Sequence, residues 1–119
     1  MKKAIALLLA LVMVFALCAC GGGGDSASGD KVVKIGVFEP ASGDSGAGGK
    51  KEMLGMQYAN QETPTVEIGG ETYKVELVYS DNGSDSAKAV SAASKLVNEK
   101  VSLVLGSYGS GVSMAGGAR

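Results

Sequence analysis

The residues best suited to hold a ligand follow the last apolar run of the chain. The segment Gly106–Gly111, with the sequence GSYGSG, lies just before a predicted helix. Free backbone N–H groups, the positive end of a helix dipole and a hydroxyl together suit an anion such as a carboxylate. Ser110 is therefore the best single candidate for a ligand contact. The alternative is that these glycines and serines only make the turn and cap the helix.

Groups for acid–base, thiol or metal chemistry are scarce in this chain. Histidine is absent, which removes the commonest general base and metal ligand. The loop carboxylates are expected to cap helices or to stay solvated, and nothing pairs them for proton transfer. They are Glu39, Asp44, Asp81 and Asp85. We therefore expect no catalytic residues, no metal site, no cofactor and no enzymatic activity.

The glycine-rich segment 43–51 does not fit a phosphate-binding loop. The spacing of that motif requires glycine where Asp44 stands, and it requires Ser or Thr where Lys51 follows Lys50. The dinucleotide pattern G-x-G-x-x-G is also missing directly after the first predicted strand. With 11 basic and 12 acidic residues, the chain shows no basic excess for nucleic acid either.

The first twenty residues have the profile of a secretory signal. Two lysines precede an uncharged apolar run that four glycines end abruptly at Gly21. A helix of this run is shorter than the hydrocarbon core of about 30 Å, which disfavours a permanent transmembrane helix. We predict a signal peptide over residues 1–19.

The end of this signal, Leu17-Cys18-Ala19-Cys20, resembles the lipobox of bacterial lipoproteins. Cys20 fits the acylated position because Ala19 precedes it directly. Each buried CH₂ of an attached chain contributes about 0.8 kcal/mol, so two or three chains anchor a protein stably. We expect lipidation at Cys20, a flexible Gly/Ser tether over residues 20–31 and no disulfide. An ordinary cleaved signal with an incidental cysteine is the alternative.

The rest of the chain alternates between strand and helix patterns. Strands are predicted at Val32–Phe38, Thr72–Tyr79 and Val101–Leu105, and helices from Lys50 to about Glu62, from Ser84 or Asp85 to about Lys100, and from Val112 onward. The second helix should bury Ala89, Val90, Ala93, Leu96 and Val97. The alternating second strand is expected near a sheet edge, and residues 65–71 are expected to be irregular with a turn at Gly69-Gly70.

This order predicts an α/β fold, with a parallel sheet and helices on both faces. If the second and third strands flank the first, the loops 39–49 and 106–111 face each other at the carboxyl edge, where such sheets bind ligands. Three strands are few for a closed core, so we expect residues 32–119 to be a partial N-terminal lobe and the chain to be a fragment.

Five blocks in order resemble the amino-terminal lobe of leucine/isoleucine/valine-binding proteins, a family of type I periplasmic binding proteins. They are Lys34–Val37 with Ala41–Gly43, Gly55–Ala59, Val75–Asp81, Ala87–Val90 with Lys95–Val97, and Val104–Ser107 with Ser110. The resemblance implies two hinged lobes that close on a small ligand and deliver it to an ABC permease. It implies that Ser110 receives the ligand's α-carboxylate, with Tyr108 and Gly109 lining the same loop.

Three departures leave the ligand open. Gly48 stands where relatives often place an aromatic residue, Ser80 replaces a common acidic residue, and Asp44-Ser45 replaces a frequent proline turn. Branched-chain amino acids are the expected ligands, and amides or other small carboxylates are the alternatives. We expect an extracytoplasmic lipoprotein on the cell membrane that does not bind ligand measurably as this chain alone. A ligand-sensing receptor domain of the same fold and a secreted α/β enzyme are the other functions considered.

Overall fold

The computed structural model describes residues 31–118, which form one four-stranded sheet and three helices. The strands are β1 (Val32–Glu39), β2 (Thr65–Ile68), β3 (Glu71–Asp81) and β4 (Leu103–Leu105), and the helices are α1 (Gly46–Glu62), α2 (Ser86–Asn98) and α3 (Ser110–Gly117). The predicted signal peptide, Cys20 and nearly all of the tether lie outside the described residues. Within residues 31–118, no helix is long and apolar enough to cross a membrane.

The strand order is β2-β3-β1-β4. β1 pairs in parallel with β3 from Val32↔Lys74 to Glu39↔Asp81, and with β4 from Ile35↔Leu103 to Val37↔Leu105. The second and third predicted strands flank the first, so the condition under which the loops 39–49 and 106–111 share the carboxyl edge is met. Because the three strands are parallel, their carboxyl ends meet at one edge of the sheet.

The prediction of an irregular segment at 65–71 is wrong in part, because Thr65–Ile68 forms a strand. It pairs antiparallel with β3 through a hairpin turn at Gly69 and Gly70, both of which have positive φ. The α/β class is confirmed, but the sheet is mixed rather than purely parallel. The alternating pattern of β3 indicated that β3 lies near the sheet edge. In the structure β2 is the edge strand, and β3 lies directly beside it.

Two predicted boundaries differ from those of the structure. α1 begins at Gly46 rather than Lys50, because glycines let its first turn approach the preceding loop closely: a Cβ on Gly46 would lie 3.3 Å from the backbone of Ala41. β4 begins two residues later than predicted. α2 is capped as predicted by Asp85, whose carboxylate accepts the N–H of Lys88 at 2.7 Å.

One face of the sheet is well packed. Helices α2 and α3 cover it and form a core of Phe38, Ala89, Ala92, Leu96 and Val112. The predicted stripe of α2 is correct for Ala89 and Leu96 but wrong for Val97, whose exposed fraction is 63%. The buried side of α2 is therefore rotated toward Ala92.

The other face is only partly covered, by α1 alone. Between α1 and this face lies an open apolar groove of about 780 Å³, lined by β-strand residues that include Ile35, Val75 and Leu77 and by Gly55 and Met56 of α1. Helices thus lie on both faces, as predicted, but with unequal packing.

Candidate functional site

Three loops meet at the carboxyl edge of the parallel strands. They are the β1–α1 loop (40–45), the β3–α2 loop (82–85) and the β4–α3 loop (106–109). The order β3-β1-β4 places the first between the other two. The carboxyl edge is the place where open α/β sheets bind small molecules, so these loops form the candidate site.

The predicted ligand contact, Ser110, is the first residue of α3 and is exposed. Gly109 precedes it as the N-cap with φ of 117°, a backbone conformation that favours glycine. Within residues 31–118, no side chain caps this helix end. The Ser113 hydroxyl fixes the turn by donating to the carbonyl of Gly109 at 2.9 Å. The start of α3 therefore presents a hydroxyl and uncapped N–H groups, which suits an anionic group.

Tyr108 connects the β4–α3 loop to the start of α1. Its ring covers Gly48 in the first turn of α1 so closely that a Cβ on Gly48 would come within 2.8 Å of the ring's Cζ. The ring remains 47% exposed. Tyr108 therefore supplies an apolar wall at the sheet edge, and the glycine at position 48 makes room for it.

Asn82 joins the β3–α2 loop to the β4–α3 loop and is fully buried. Its amide nitrogen donates to the hydroxyl of Ser107 at 2.7 Å, and its amide oxygen accepts the N–H of Ser84 at 3.0 Å. A buried amide that is satisfied on both sides holds its partners in one arrangement. Asn82 thus fixes the first part of the β4–α3 loop through Ser107.

Asp81 joins the β3–α2 loop to the β1–α1 loop. Its Oδ1 accepts the N–H groups of Ala41 and Gly83, each at 2.8 Å, and its Oδ2 accepts the hydroxyl of Ser42 at 2.6 Å. Desolvation, the largest single effect, raises the pKa of Asp81. The hydrogen bonds together outweigh it and hold the pKa below its ordinary value of 3.8. Asp81 is therefore ionised at neutral pH and fastens the two loops.

Glu39 is the last residue of β1 and is only 1% exposed. Its Oε2 accepts the N–H of Tyr108 at 2.8 Å, while its Oε1 is buried without a hydrogen-bond partner among the described residues. Burial raises the pKa of Glu39 above its ordinary value of 4.5. The Tyr108 N–H opposes this, and the negative charge of Glu52 adds to it. A buried acid therefore contacts the same loop that carries the candidate ligand residues.

The predicted residues Tyr108, Gly109 and Ser110 all lie in the β4–α3 region of this edge, and Tyr108 contacts the start of α1. Their role in ligand binding stays a prediction. The expectation that Glu39 caps a helix or stays solvated is wrong, because its carboxylate is buried. Glu39 and Asn82 also belong to the site, although neither was predicted from the sequence to do so. A sequence signal for both was their position at the carboxyl end of a strand: Glu39 is the last residue of β1, and Asn82 directly follows β3.

Metal chemistry finds no support in the described part of the chain. No group of three or more His, Cys, Asp or Glu side chains is arranged there to hold a metal ion. The carboxylates of Glu39 and Asp81 instead accept hydrogen bonds from backbone N–H groups and, in the case of Asp81, from a hydroxyl. The site is built from backbone donors, serine hydroxyls and one aromatic ring.

Known proteins resemble this chain in both sequence and fold. The Leu/Ile/Val-binding protein homolog 2 of Brucella abortus is 32% identical over 82 residues, which cover 69% of this chain and 22% of that protein. The crystal structure of the leucine binding protein LivK from Thermotoga maritima is 39% identical, with a TM-score of 0.64 over 71% of this chain and 23% of that one.

A third relative was solved with a ligand. It is the branched-chain amino acid transporter substrate binding protein LivJ from Streptococcus pneumoniae, in complex with isoleucine; it is 35% identical, with a TM-score of 0.63 over 74% of this chain and 25% of that one. The chain thus spans about a quarter of the length of the proteins it matches.

The family model described as "Periplasmic binding protein" matches residues 32–118, which is most of the chain and all of the sheet and helices described above. Such proteins bind solutes and are not an enzyme family, and they work outside the cytoplasm. From the fold, the loops at the carboxyl edge and this match, we conclude that the chain belongs to the periplasmic binding protein family.

Proposed function

We propose that this chain supplies one wall of the ligand cleft of an ABC-transporter solute-binding protein for amino acids, with branched-chain amino acids as the first class to test. The observation that carries the proposal is the exposed hydroxyl of Ser110 at an uncapped helix start, on the carboxyl edge of the parallel strands. An α-carboxylate is an anion of the size and charge that such a helix start binds. Relatives described as binding leucine or isoleucine support this choice of ligand.

The wall beside Ser110 is apolar, which suits an aliphatic side chain. The ring of Tyr108 covers Gly48, and the residue remains partly exposed at the carboxyl edge. An amino acid whose carboxylate lies at Ser110 would place its side chain within reach of this ring. The remaining contacts, including those for the ammonium group, would come from parts of the protein that this chain does not contain.

The experiment is a chimera, because the chain spans only about a quarter of its relatives. Residues 32–118 replace the matching segment of the Thermotoga maritima leucine binding protein, and calorimetry measures binding of leucine, isoleucine and valine. We expect binding, and we expect Ser110→Ala to weaken it about tenfold, which corresponds to about 1.4 kcal/mol.

The matched control is Ser102→Ala, an exposed serine just before β4, at the opposite end of that strand from Ser110. It should leave the affinity unchanged. A folded chimera that binds none of the three amino acids would refute the proposed ligand class. Binding that survives Ser110→Ala would refute the proposed role of Ser110. The 119-residue chain alone should show no measurable binding in the same titration.

We further propose that Cys20 carries a lipid anchor, that residues 20–31 tether the lobe to the membrane, and that an ABC permease receives the ligand. The lipobox-like sequence before Cys20 supports the anchor, and the family supports the transport role. Mass spectrometry of the protein expressed in a bacterium should find a diacylglyceryl group on Cys20. Cys20→Ser should lack that mass and should leave the membrane fraction.

A further inference from the structure

The buried carboxyl group of Glu39 has no role in the function proposed above. It terminates β1, and its main-chain carbonyl accepts the N–H of Asn82 at 3.4 Å. Burying a carboxyl group with one oxygen unpartnered is unfavourable, and such a residue calls for an explanation. The contacts of its two oxygens supply one.

Both oxygens of Glu39 face the β4–α3 loop. Oε2 accepts the N–H of Tyr108, and Oε1 lies so close to Gly106 that a Cβ there would overlap it. Gly106 also has φ of 116°, which favours glycine. The carboxyl group therefore sets the path of this loop at two points, immediately before the Gly109–Ser110 helix start.

Other contacts hold the loop on either side of Tyr108. Asn82 binds the Ser107 hydroxyl, and the Ser113 hydroxyl donates to the carbonyl of Ser107 at 3.3 Å. In the described part of the chain, one backbone N–H of this loop donates to a side-chain carboxylate: the N–H of Tyr108 donates to Glu39. A hydrogen bond to an ionised acceptor is about twice as strong as a neutral one.

We propose that Glu39 is a positioning residue of the ligand site, which holds the β4–α3 loop by its carboxylate and thereby orients the start of α3 toward the ligand. This proposal rests on the proposed function for its ligand, but not for its effect on the loop. Ligand affinity then depends on a group that the ligand does not touch.

The surroundings of Glu39 determine how it responds to pH. From α1 it faces Glu52, whose negative charge raises its pKa together with burial. On β3 its register partner is Asp81, whose carboxylate accepts hydrogen bonds from the β1–α1 loop. From the other two loops it faces Asn82, which has no charge, and the backbone of Tyr108. As pH falls through its raised pKa, Glu39 becomes neutral and its bond to Tyr108 weakens.

The test uses the ¹⁵N-labelled 119-residue chain and, as a frame that carries the second lobe, the chimera described above. In both, the amide shifts of Tyr108 and Ser110 are followed from pH 4 to pH 8. We expect both amides to titrate together with a midpoint above 4.5, and we expect Glu39→Gln to abolish that titration. In the chimera, Glu39→Gln should weaken amino-acid binding about fivefold to tenfold by replacing a charge-assisted bond with a neutral one.

The matched control is Glu52→Gln, which removes the neighbouring charge but leaves the bond to Tyr108. It should move the midpoint toward 4.5 and preserve the response of both amides. A pH-independent Tyr108 amide, or a Ser110 amide that does not follow it, would overturn the proposal. So would a Glu39→Gln chimera with unchanged affinity. Should the chimera bind no amino acid at all, the proposed function fails while the two amide titrations still decide whether Glu39 controls the loop.

Discussion

The two faces of the sheet differ in how completely this chain covers them. On the face under α2 and α3, Phe38, Leu96 and Val112 are each at most 5% exposed. On the face under α1, Ile35 and Leu77 are only half-buried and line an open groove. The difference teaches that one side of this sheet supplies the packed core, whereas the other side leaves apolar surface in contact with water.

The largest loss of stability should come from a cavity in the closed face. Leu96→Ala removes a side chain that is 1% exposed and should lower the free energy of unfolding by about 3 kcal/mol through the cavity it leaves. Ile35→Ala, on the open face, should cost about 1 kcal/mol, because its side chain is less completely buried. Urea unfolding of both variants measures the difference. Equal losses would contradict the contrast between the faces.

Adding a methyl group to the closed face should also destabilise the fold. A Cβ on Gly116 would lie 2.6 Å from the Phe38 ring, so Gly116→Ala forces the ring or α3 to shift and should cost about 1 to 3 kcal/mol. Gly117→Ala is the matched control, because no described atom lies within 4 Å of its Cβ position. A Gly116→Ala variant as stable as the Gly117→Ala variant would show that α3 packs loosely.

The carboxyl edge should respond to acid through Asp81. Its pKa is lowered in the folded state, so its contribution to stability is present above pH 3.8, the ordinary value, and is lost as pH falls through the lowered pKa. Asp81→Asn should lower stability at pH 7 by about 1 kcal/mol, a modest figure because the side chain is exposed. Unfolding curves of the variant and the parent should converge below pH 3.8. A constant difference down to pH 2 would contradict this.

The smallest effect should be a gain on the open face. Apart from its chain neighbours and the nearby backbone of its own helix, no described atom lies within 4 Å of the Cβ position of Gly55 in the middle of α1. Gly55→Ala should therefore stabilise the protein by roughly 0.5 to 1 kcal/mol through helix propensity alone. The midpoint of thermal unfolding measures it. A loss instead of a gain would mean that α1 packs against this face more tightly than its groove indicates.

Much of the fold could be predicted from the sequence, because the buried strands and α2 carry their own patterns. The apolar run of β1 and the cap at Asp85 are local signals, and their alternation with helices indicated a parallel arrangement of β1, β3 and β4. β2 was missed because its four residues are all exposed and include Glu67, so the strand exists only through its pairing with β3. Its stability lies in a partner rather than in its own composition.

The site could be predicted only in part for a similar reason. The exposed residues Gly109 and Ser110 indicate a helix start, a feature that a short stretch of sequence can show. The burial of Glu39 depends on Tyr108, 69 residues away, and no local pattern reports such a contact. Long-range burial of a single polar residue is therefore the step at which sequence reasoning fails here.

The β2–β3 hairpin also has a consequence for how the sheet can grow. Its turn at Gly69 and Gly70 reverses the chain and places β2 as an antiparallel border on one side of the sheet. On the opposite side, no described strand pairs with the outer edge of β4, whose three residues are exposed and apolar. Among the described strands, β2 and β4 each pair on one side only, so a further strand would find unpaired hydrogen-bonding groups along either border. The two borders differ in composition: β2 carries Thr65 and Glu67, whereas β4 is apolar throughout, so apolar strands should add beside β4.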